Sequence, residues 1–296
     1  MLYNAALVLE GGAMRGQYST GITDAFLAHH IEFKSVIGVS AGALCGAQYV
    51  SKQYGRMVHV NTHYRKDKEY ISLLHMLKHQ DILNLDFLFE DHGWDWNNFD
   101  ERAYERSSTN FTIVATQLSS GRMVSFTNPT GSELVNDLKA SWSMPFLMEP
   151  QITSKVQCLD GGVADSIPYD IAEQQGFDKI VIVRTRPLAY QKKPTSKLLQ
   201  QMYRRVFKDH LAFAETGIKR PEVYNRQVEV VNKKASNGEW FCFSPENMVK
   251  VGRLEKNTNK LAELYHQGQQ QAEHLLPELT AYLTKWGEFC EESCIC

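Results

Sequence analysis

The chain has 296 residues, 43% of them hydrophobic and 22% charged, with a formal net charge of -2 at pH 7. That length can bury a large core in one big domain or two, and the composition is that of an ordinary globular protein. The charge leaves no electrostatic footprint for nucleic acid, no apolar run approaches a membrane span, and no basic region precedes the short N-terminal apolar stretch. No secretory signal is therefore read, and a reducing, cytoplasmic location is expected.

Ala5 to Leu9 reads as a buried first strand. It runs into Glu10-Gly11-Gly12-Ala13-Met14-Arg15-Gly16, and a helix-like stretch follows from near Ser19 to His29-His30. A glycine-rich turn between strand and helix presents backbone N–H groups without intrahelical partners. Such groups bind a phosphate or a developing oxyanion. No G-K-[ST] follows, and the spacing of Gly11, Gly12 and Gly16 does not match G-x-G-x-x-G. Nucleotide and dinucleotide sites are thus unsupported; an oxyanion hole or a tight turn without ligand remains.

Phe33 to Ile37 reads as a second short strand, and Ala43 to Tyr54 as a helix. Between them stands Gly38-Val39-Ser40-Ala41-Gly42. A G-x-S-x-G elbow exposes its serine at the sheet edge beside a helix N-terminus, the geometry of a nucleophile. A charged helical stretch is expected over Arg65 to Lys78, then strands over Asn110 to Gln117 and Arg122 to Thr127, and a helix over Glu133 to Trp142. Val156 to Leu159 reads as a strand ending in Asp160-Gly161-Gly162. Alone, that motif is an ordinary turn aspartate or one placed beside the nucleophile. Asp178 to Arg184 reads as a buried strand. The alternation indicates an α/β fold with a mainly parallel sheet, helices on both faces, and catalytic loops at the carboxyl ends of the strands.

Residues 186–296 read differently, as a mostly helical region packed on the 1–185 catalytic part without a long linker. A loop over Arg186 to Pro194 leads to helices over Lys197 to Phe213, Pro221 to Val231, Leu261 to Leu276 and Pro277 to Trp286, with a late strand over Glu239 to Phe243.

Taken in order, the glycine-rich turn, the serine elbow and D-G-G resemble the motifs of the patatin-like phospholipases, a family of serine acyl hydrolases. The family pattern is G-G-G-x-[KR]-G, then G-x-S-x-G, then D-G-[GA]. Ala140-Ser141-Trp142-Ser143-Met144-Pro145-Phe146 and Ser166-Ile167-Pro168 add smaller similarities, and the whole covers roughly residues 5 to 185. The bacterial branch is most similar, through Lys192-Lys193-Pro194 and Val251 to Lys256 as well. The resemblance implies a three-layer α/β/α fold and a Ser40–Asp160 dyad. It also implies an oxyanion hole from Gly11, Gly12, Ala13 and Met14, with Arg15, Gly16, Gly38, Gly42 and Gly161 supporting the motifs. Ala13 departs from the pattern, standing where the third glycine is usual. It keeps its N–H but meets a penalty at positive φ. Arg15 is expected to pin the loop through a carboxylate rather than to add positive potential at the hole.

The implied activity is hydrolysis of phospholipids or other fatty acyl esters through a Ser40 acyl-enzyme, without cofactor. The alternative is a catalytically silent lipid-binding or regulatory protein on the same scaffold. An aspartate in water is a poor base for an alcohol, so such a dyad depends on lipid excluding water from the cleft. A His-containing triad is the other option, but none of the ten histidines sits in a recognisable pattern. Cys45, Cys158 and Cys242 read as buried thiols, and Cys290, Cys294 and Cys296 as a frayed tail; no zinc site is supported. Peripheral membrane contact would fall to the basic helix with Lys197, Arg204, Arg205 and Lys208. The aromatic stretch Asp81 to Phe99 is either an acyl pocket or lid, or core packing.

Overall fold

The computed structural model describes residues 1–68, 70, 84–90, 98–154, 156–246 and 250–285. Its first half contains β1 (Leu2–Leu9), α1 (Gly16–Ala28), β2 (Glu32–Val39), α2 (Ala41–Val50), α3 (Arg56–His63), α4 (Glu101–Glu105) and β3 (Asn110–Gln117). There follow β4 (Met123–Thr127), α5 (Gly131–Trp142), β5 (Gln151–Ile152), β6 (Gln157–Asp160), α6 (Tyr169–Gln174) and β7 (Ile180–Val183). The chain continues through α7 (Lys197–Val206), α8 (Leu211–Ser236), β8 (Phe241–Phe243) and α9 (Thr258–Thr284).

One sheet runs in the order β5-β6-β3-β2-β1-β7-β8, with β4 also paired to β3. From β3 to β8 every pairing is parallel; β4, β5 and β6 are antiparallel. Parallel strands buried on both faces read as continuous apolar runs, and β1 does so because both of its faces are covered. Leu7 and Leu9 pack with Tyr18 and Ile22 of α1, Leu44 of α2 and Leu264 of α9. Ala6 and Val8 pack on the opposite layer, with Ile171 of α6 and Tyr224 and Val228 of α8. The fold is therefore α/β/α, with a helical C-terminal region whose β8 extends the sheet beside β7.

The topology around β3 positions the site. A strand has two hydrogen-bonding edges, and β4 occupies one, along Thr112 to Thr116. The other is shared: β2 pairs with Asn110 to Val114, and β6 takes over from Ala115 to Gln117. Val39 lies opposite Val114 and Asp160 opposite Ala115. The end of β2 and the end of β6 thus meet head to head, bringing positions 40 and 160 together from 120 residues apart.

Several helix limits differ from the sequence expectation. The helix after the elbow stops at Val50, because Lys52 (φ 58) and Gly55 (φ 73) turn the chain into α3. Residues 65–68 and 70 run as turns; the remainder of the helix expected to Lys78 lies outside the described residues. The expected Lys197–Phe213 helix is broken at Phe207, and the next helix runs straight through Pro221. Leu261 to Thr284 likewise lies on one helix with Pro277 inside. An internal proline costs roughly 3 kcal/mol, an amount comparable to burying one or two large apolar side chains, and α9 buries Leu261, Leu264, Leu279 and Leu283. Within the aromatic stretch, Leu85, Phe87 and Leu88 are core residues, with Phe87 stacked on Tyr70. Leu83, Trp94 and Trp96, together with His75, His79, Trp286, Cys290, Cys294 and Cys296, lie outside the described residues.

Candidate active site

Ser40 Oγ donates a 2.8 Å hydrogen bond to Asp160 Oδ2. Asp160 Oδ1 accepts from the Gly162 N–H at 2.7 Å. Both side chains are largely buried, Ser40 at 4% and Asp160 at 6% exposure. Ser40 caps the N-terminus of α2, so the positive end of that helix dipole faces the hydroxyl.

The elbow is held in a costly conformation. Ser40 has φ 56 and ψ -123, a region that costs a non-glycine residue about 1–3 kcal/mol. Its N–H donates to Ser141 Oγ at 2.7 Å, and Ser141 Oγ donates onward to the Val114 carbonyl at 2.6 Å. Its carbonyl accepts from the Ala43 and Leu44 N–H groups of α2. Asp160 is fixed in the same manner: its N–H donates to the Ser143 carbonyl at 2.7 Å, and its carbonyl accepts from Thr116 Oγ1 at 2.9 Å. Close backbone approach explains two motif glycines. A Cβ on Gly42 would stand 2.2 Å from the Leu9 carbonyl oxygen, and one on Gly161 would stand 2.1 Å from that of Val114.

The glycine-rich turn forms a short 3-10 turn over Ala13–Arg15 with Gly12 before it. The Gly11 N–H donates to the Ser166 carbonyl at 3.3 Å, and the Arg15 N–H to the Gly12 carbonyl at 3.1 Å. Among the described residues the N–H groups of Gly12, Ala13 and Met14 have no acceptor. Gly11, expected in the oxyanion hole, is thus already engaged, which leaves three consecutive donors. Ala13 sits at φ 49, the left-handed conformation that a glycine would take without penalty.

Ser40, Asp160, Gly12, Ala13 and Arg15 share one cleft of about 480 Å³. One wall is apolar, from Met144, Pro145, Phe146, Leu199 and Tyr203. Arg15 does not pin the loop through a carboxylate: among the described residues none lies within 4 Å of it, and its Nε is buried without a partner. Burial, reinforced by Arg186, pushes the Arg15 guanidinium down to about 10. None of the described histidines lines the cleft, and no cluster of potential metal ligands occurs among the described residues. Sequence reasoning gave no role to Ser141, Thr116, Lys192, Arg220 or Arg253. Ser141 belongs to the Ala140–Phe146 segment, and Lys192 and Arg253 to two segments noted for their resemblance, so a signal existed for these three. None marked Thr116 or Arg220.

A family model described as patatin-like phospholipase matches residues 7–173, and one described as a domain of unknown function (DUF6363) matches residues 210–284. The chain is similar to the uncharacterized protein YjjU of Escherichia coli (strain K12), 27% identical over 187 residues, covering 62% of this chain and 52% of that one. It thus spans about half the length of that curated relative. Among solved structures it is similar to VipD from Legionella pneumophila, with a TM-score of 0.44 and 12% identity over 93% of this chain and 67% of that one. No described helix is long and apolar enough to cross a membrane.

Proposed function

The chain belongs to the patatin-like phospholipase family, and on that premise we propose that it is a serine hydrolase of fatty acyl esters with Ser40 as nucleophile and Asp160 as base. Ser40 Oγ attacks the acyl carbonyl while its proton passes to Asp160 Oδ2. The carbonyl oxygen, now negative, is stabilised by the free N–H groups of Gly12, Ala13 and Met14. The tetrahedral intermediate collapses, the ester C–O bond breaks, and the leaving alcohol takes the proton from Asp160. Water then attacks the acyl-enzyme, gives its proton to Asp160, and releases the fatty acid as Ser40 is reprotonated. Serine needs an adjacent base to act as a nucleophile, and here that base is a carboxylate with no imidazole between.

The observation that carries this reading is the 2.8 Å Ser40–Asp160 hydrogen bond, set in an open cleft lined also by Gly12 and Ala13, whose N–H groups have no acceptor among the described residues. Wild type is expected to hydrolyse a medium-chain p-nitrophenyl ester and to be labelled by a fluorophosphonate. Ser40→Ala should lose both, and Asp160→Asn should lose roughly a thousandfold or more in kcat. Full activity of Asp160→Asn would exclude the aspartate as base. No hydrolysis and no labelling in a folded wild type would favour a silent lipid-binding protein.

A further inference from the structure

The cleft is strongly cationic in a chain whose net charge is -2. Arg15, Arg186, Lys192, Lys193, Arg220 and Arg253 line it, against two carboxylates among the described residues, Glu10 and Asp160. Neither carboxylate pairs directly with Arg15, Lys192, Arg220 or Arg253. Glu10 is buried and accepts the Thr185 N–H at 2.6 Å, while Asp160 is engaged by Ser40 and Gly162. Among the described residues no carboxylate lies within 4 Å of Arg15, Lys192, Arg220 or Arg253. The Nε atoms of Arg15 and Arg220 are buried with no hydrogen-bond partner.

These cations stand beside the reacting groups. A Cβ placed on Gly162 would lie 3.0 Å from both Arg220 Nη2 and Asp160 Oδ1, so the guanidinium rests against the aspartate loop. Lys192 Nζ reaches Ser166 Oγ at 3.4 Å and lies 3.7 Å from the centre of the Tyr224 ring. Its backbone is clamped on both sides by Asn225, whose Oδ1 accepts the Lys192 N–H at 2.8 Å and whose Nδ2 donates to the Lys192 carbonyl at 3.0 Å. Burial, and then the neighbouring Arg220, hold the Lys192 ammonium well below its ordinary range, with Glu10 opposing.

Withdrawing cations from water without partners is costly, and a bound anion recovers that cost. The number of donors matches a phosphate monoester, which carries about -1.5 to -2 charge near pH 7 and three acceptor oxygens. A choline or ethanolamine headgroup would bring its own cation into the same field. We propose that the cleft is selective for acyl esters bearing a phosphate-monoester headgroup, a phosphatidate or lysophosphatidate, with the phosphate held by Arg15, Lys192, Arg220 and Arg253. The acyl chain lies along Met144, Phe146 and Leu199. This deepens the hydrolase reading and rests on it.

The test separates the two. Short-chain phosphatidate, phosphatidylcholine and diacylglycerol are compared in non-ionic detergent micelles, with p-nitrophenyl butyrate as a headgroup-free ester. The expected result is a kcat/KM for phosphatidate roughly tenfold or more above the other two lipids, as one charge-assisted hydrogen bond provides. That ratio should fall roughly tenfold in Arg220→Gln. It should also fall in Arg253→Gln, whose exposed side chain makes the variant safe for folding. Hydrolysis of p-nitrophenyl butyrate without preference for phosphatidate overturns the headgroup assignment and leaves the hydrolase standing. Calorimetry on Ser40→Ala is independent of turnover. There dihexanoyl phosphatidate should bind roughly tenfold more tightly than dihexanoyl phosphatidylcholine, and equal affinities overturn the proposal even if no ester is cleaved. Competition by glycerol 3-phosphate supports the phosphate subsite and shows that it also admits the soluble headgroup. Inorganic phosphate alone competing equally well would place recognition in the phosphate and not in the glycerol.

Discussion

Ser141→Ala is the sharpest probe of how Ser40, the proposed nucleophile, is held. The Ser141 hydroxyl is fully buried, accepts from the Ser40 N–H and donates to the Val114 carbonyl. Alanine removes both bonds and supplies no replacement. An orphaned buried N–H costs about 1–3 kcal/mol and a lost hydrogen bond about 1 more, so a destabilisation of about 2–4 kcal/mol is expected. At roughly 2 °C per kcal/mol for a chain of this size, the melting midpoint should drop by about 4–8 °C. The functional effect follows from Ser40 φ, which is 56. With its amide released, the strained elbow can relax toward an ordinary conformation. A displacement of about 1 Å is worth up to a hundredfold in rate. The loss should fall on kcat, measured with a p-nitrophenyl ester under saturating conditions, and leave KM little changed. A variant that melts within about 1 °C of wild type and turns over at the same rate would refute the reasoning. A large loss of stability with kcat intact would show that the first turn of α2 alone fixes the elbow.

Three further outcomes follow from single residues. Ala13→Gly should gain up to about 1 kcal/mol in urea unfolding, since the left-handed penalty of about 1–2 kcal/mol exceeds the entropy that glycine adds to the unfolded chain; a loss of stability would show that the turn does not strain Ala13. Gly42→Ala should cost roughly 4 kcal/mol or more and yield little folded protein, because its Cβ meets the Leu9 backbone; a soluble, active variant would mean that β1 and the elbow can separate. Burial raises the Asp24 carboxyl to about 6, against hydrogen bonds from the Tyr265 hydroxyl and the Gly55 N–H that oppose the rise. The folded chain therefore keeps a proton that the unfolded chain loses near pH 4, and this site's contribution to stability falls as pH rises through about 6. Asp24→Asn keeps an acceptor oxygen and lacks the titration. Its stability relative to wild type should improve by about 2 kcal/mol between about pH 4.5 and 7.5, and a difference constant across that range would refute the shift.

The parts of the fold written in local pattern were legible in the sequence. Asn110 to Gln117 is the observed β3 to the residue, and the apolar runs before Glu10 and Gly38 are strands because burial on both faces leaves no room for polar alternation. What local pattern does not encode is packing at a distance. Pro221 and Pro277 read as helix boundaries in the sequence, yet burial against the core carries both helices through them. At the site, the motifs marked Ser40 and Asp160 but not the neighbours that orient them. Ser141 and Thr116 are chemically unremarkable hydroxyls whose role exists only once the ends of β2 and β6 converge on β3. Arg15 departs from expectation for the same reason: a loop arginine is expected to pair with a carboxylate, and only the assembled cleft shows that among the described residues none lies within 4 Å of it.

The two tasks proposed for the cleft are supplied by separate parts of the chain. The hydroxyl, its base and the three free N–H groups come from the ends of β1, β2 and β6, which the sheet ladder holds in register. Apart from Arg15, the cations arrive later, from the loop after β7, from α8 and from the segment before α9. The first set is nearly immovable, since a methyl group on Gly42 or Gly161 would strike backbone. The second reaches the cleft through long side chains, with Arg253 exposed, and can be changed without disturbing a strand. On the headgroup proposal, Arg253→Glu should therefore shift preference away from phosphatidate and toward a lipid whose headgroup carries a cation, detectable as a crossing of kcat/KM values between phosphatidate and phosphatidylcholine. A reversed charge that weakened turnover of both lipids in equal proportion would mean that Arg253 serves the elbow or its loop, and that recognition and chemistry are not separable here.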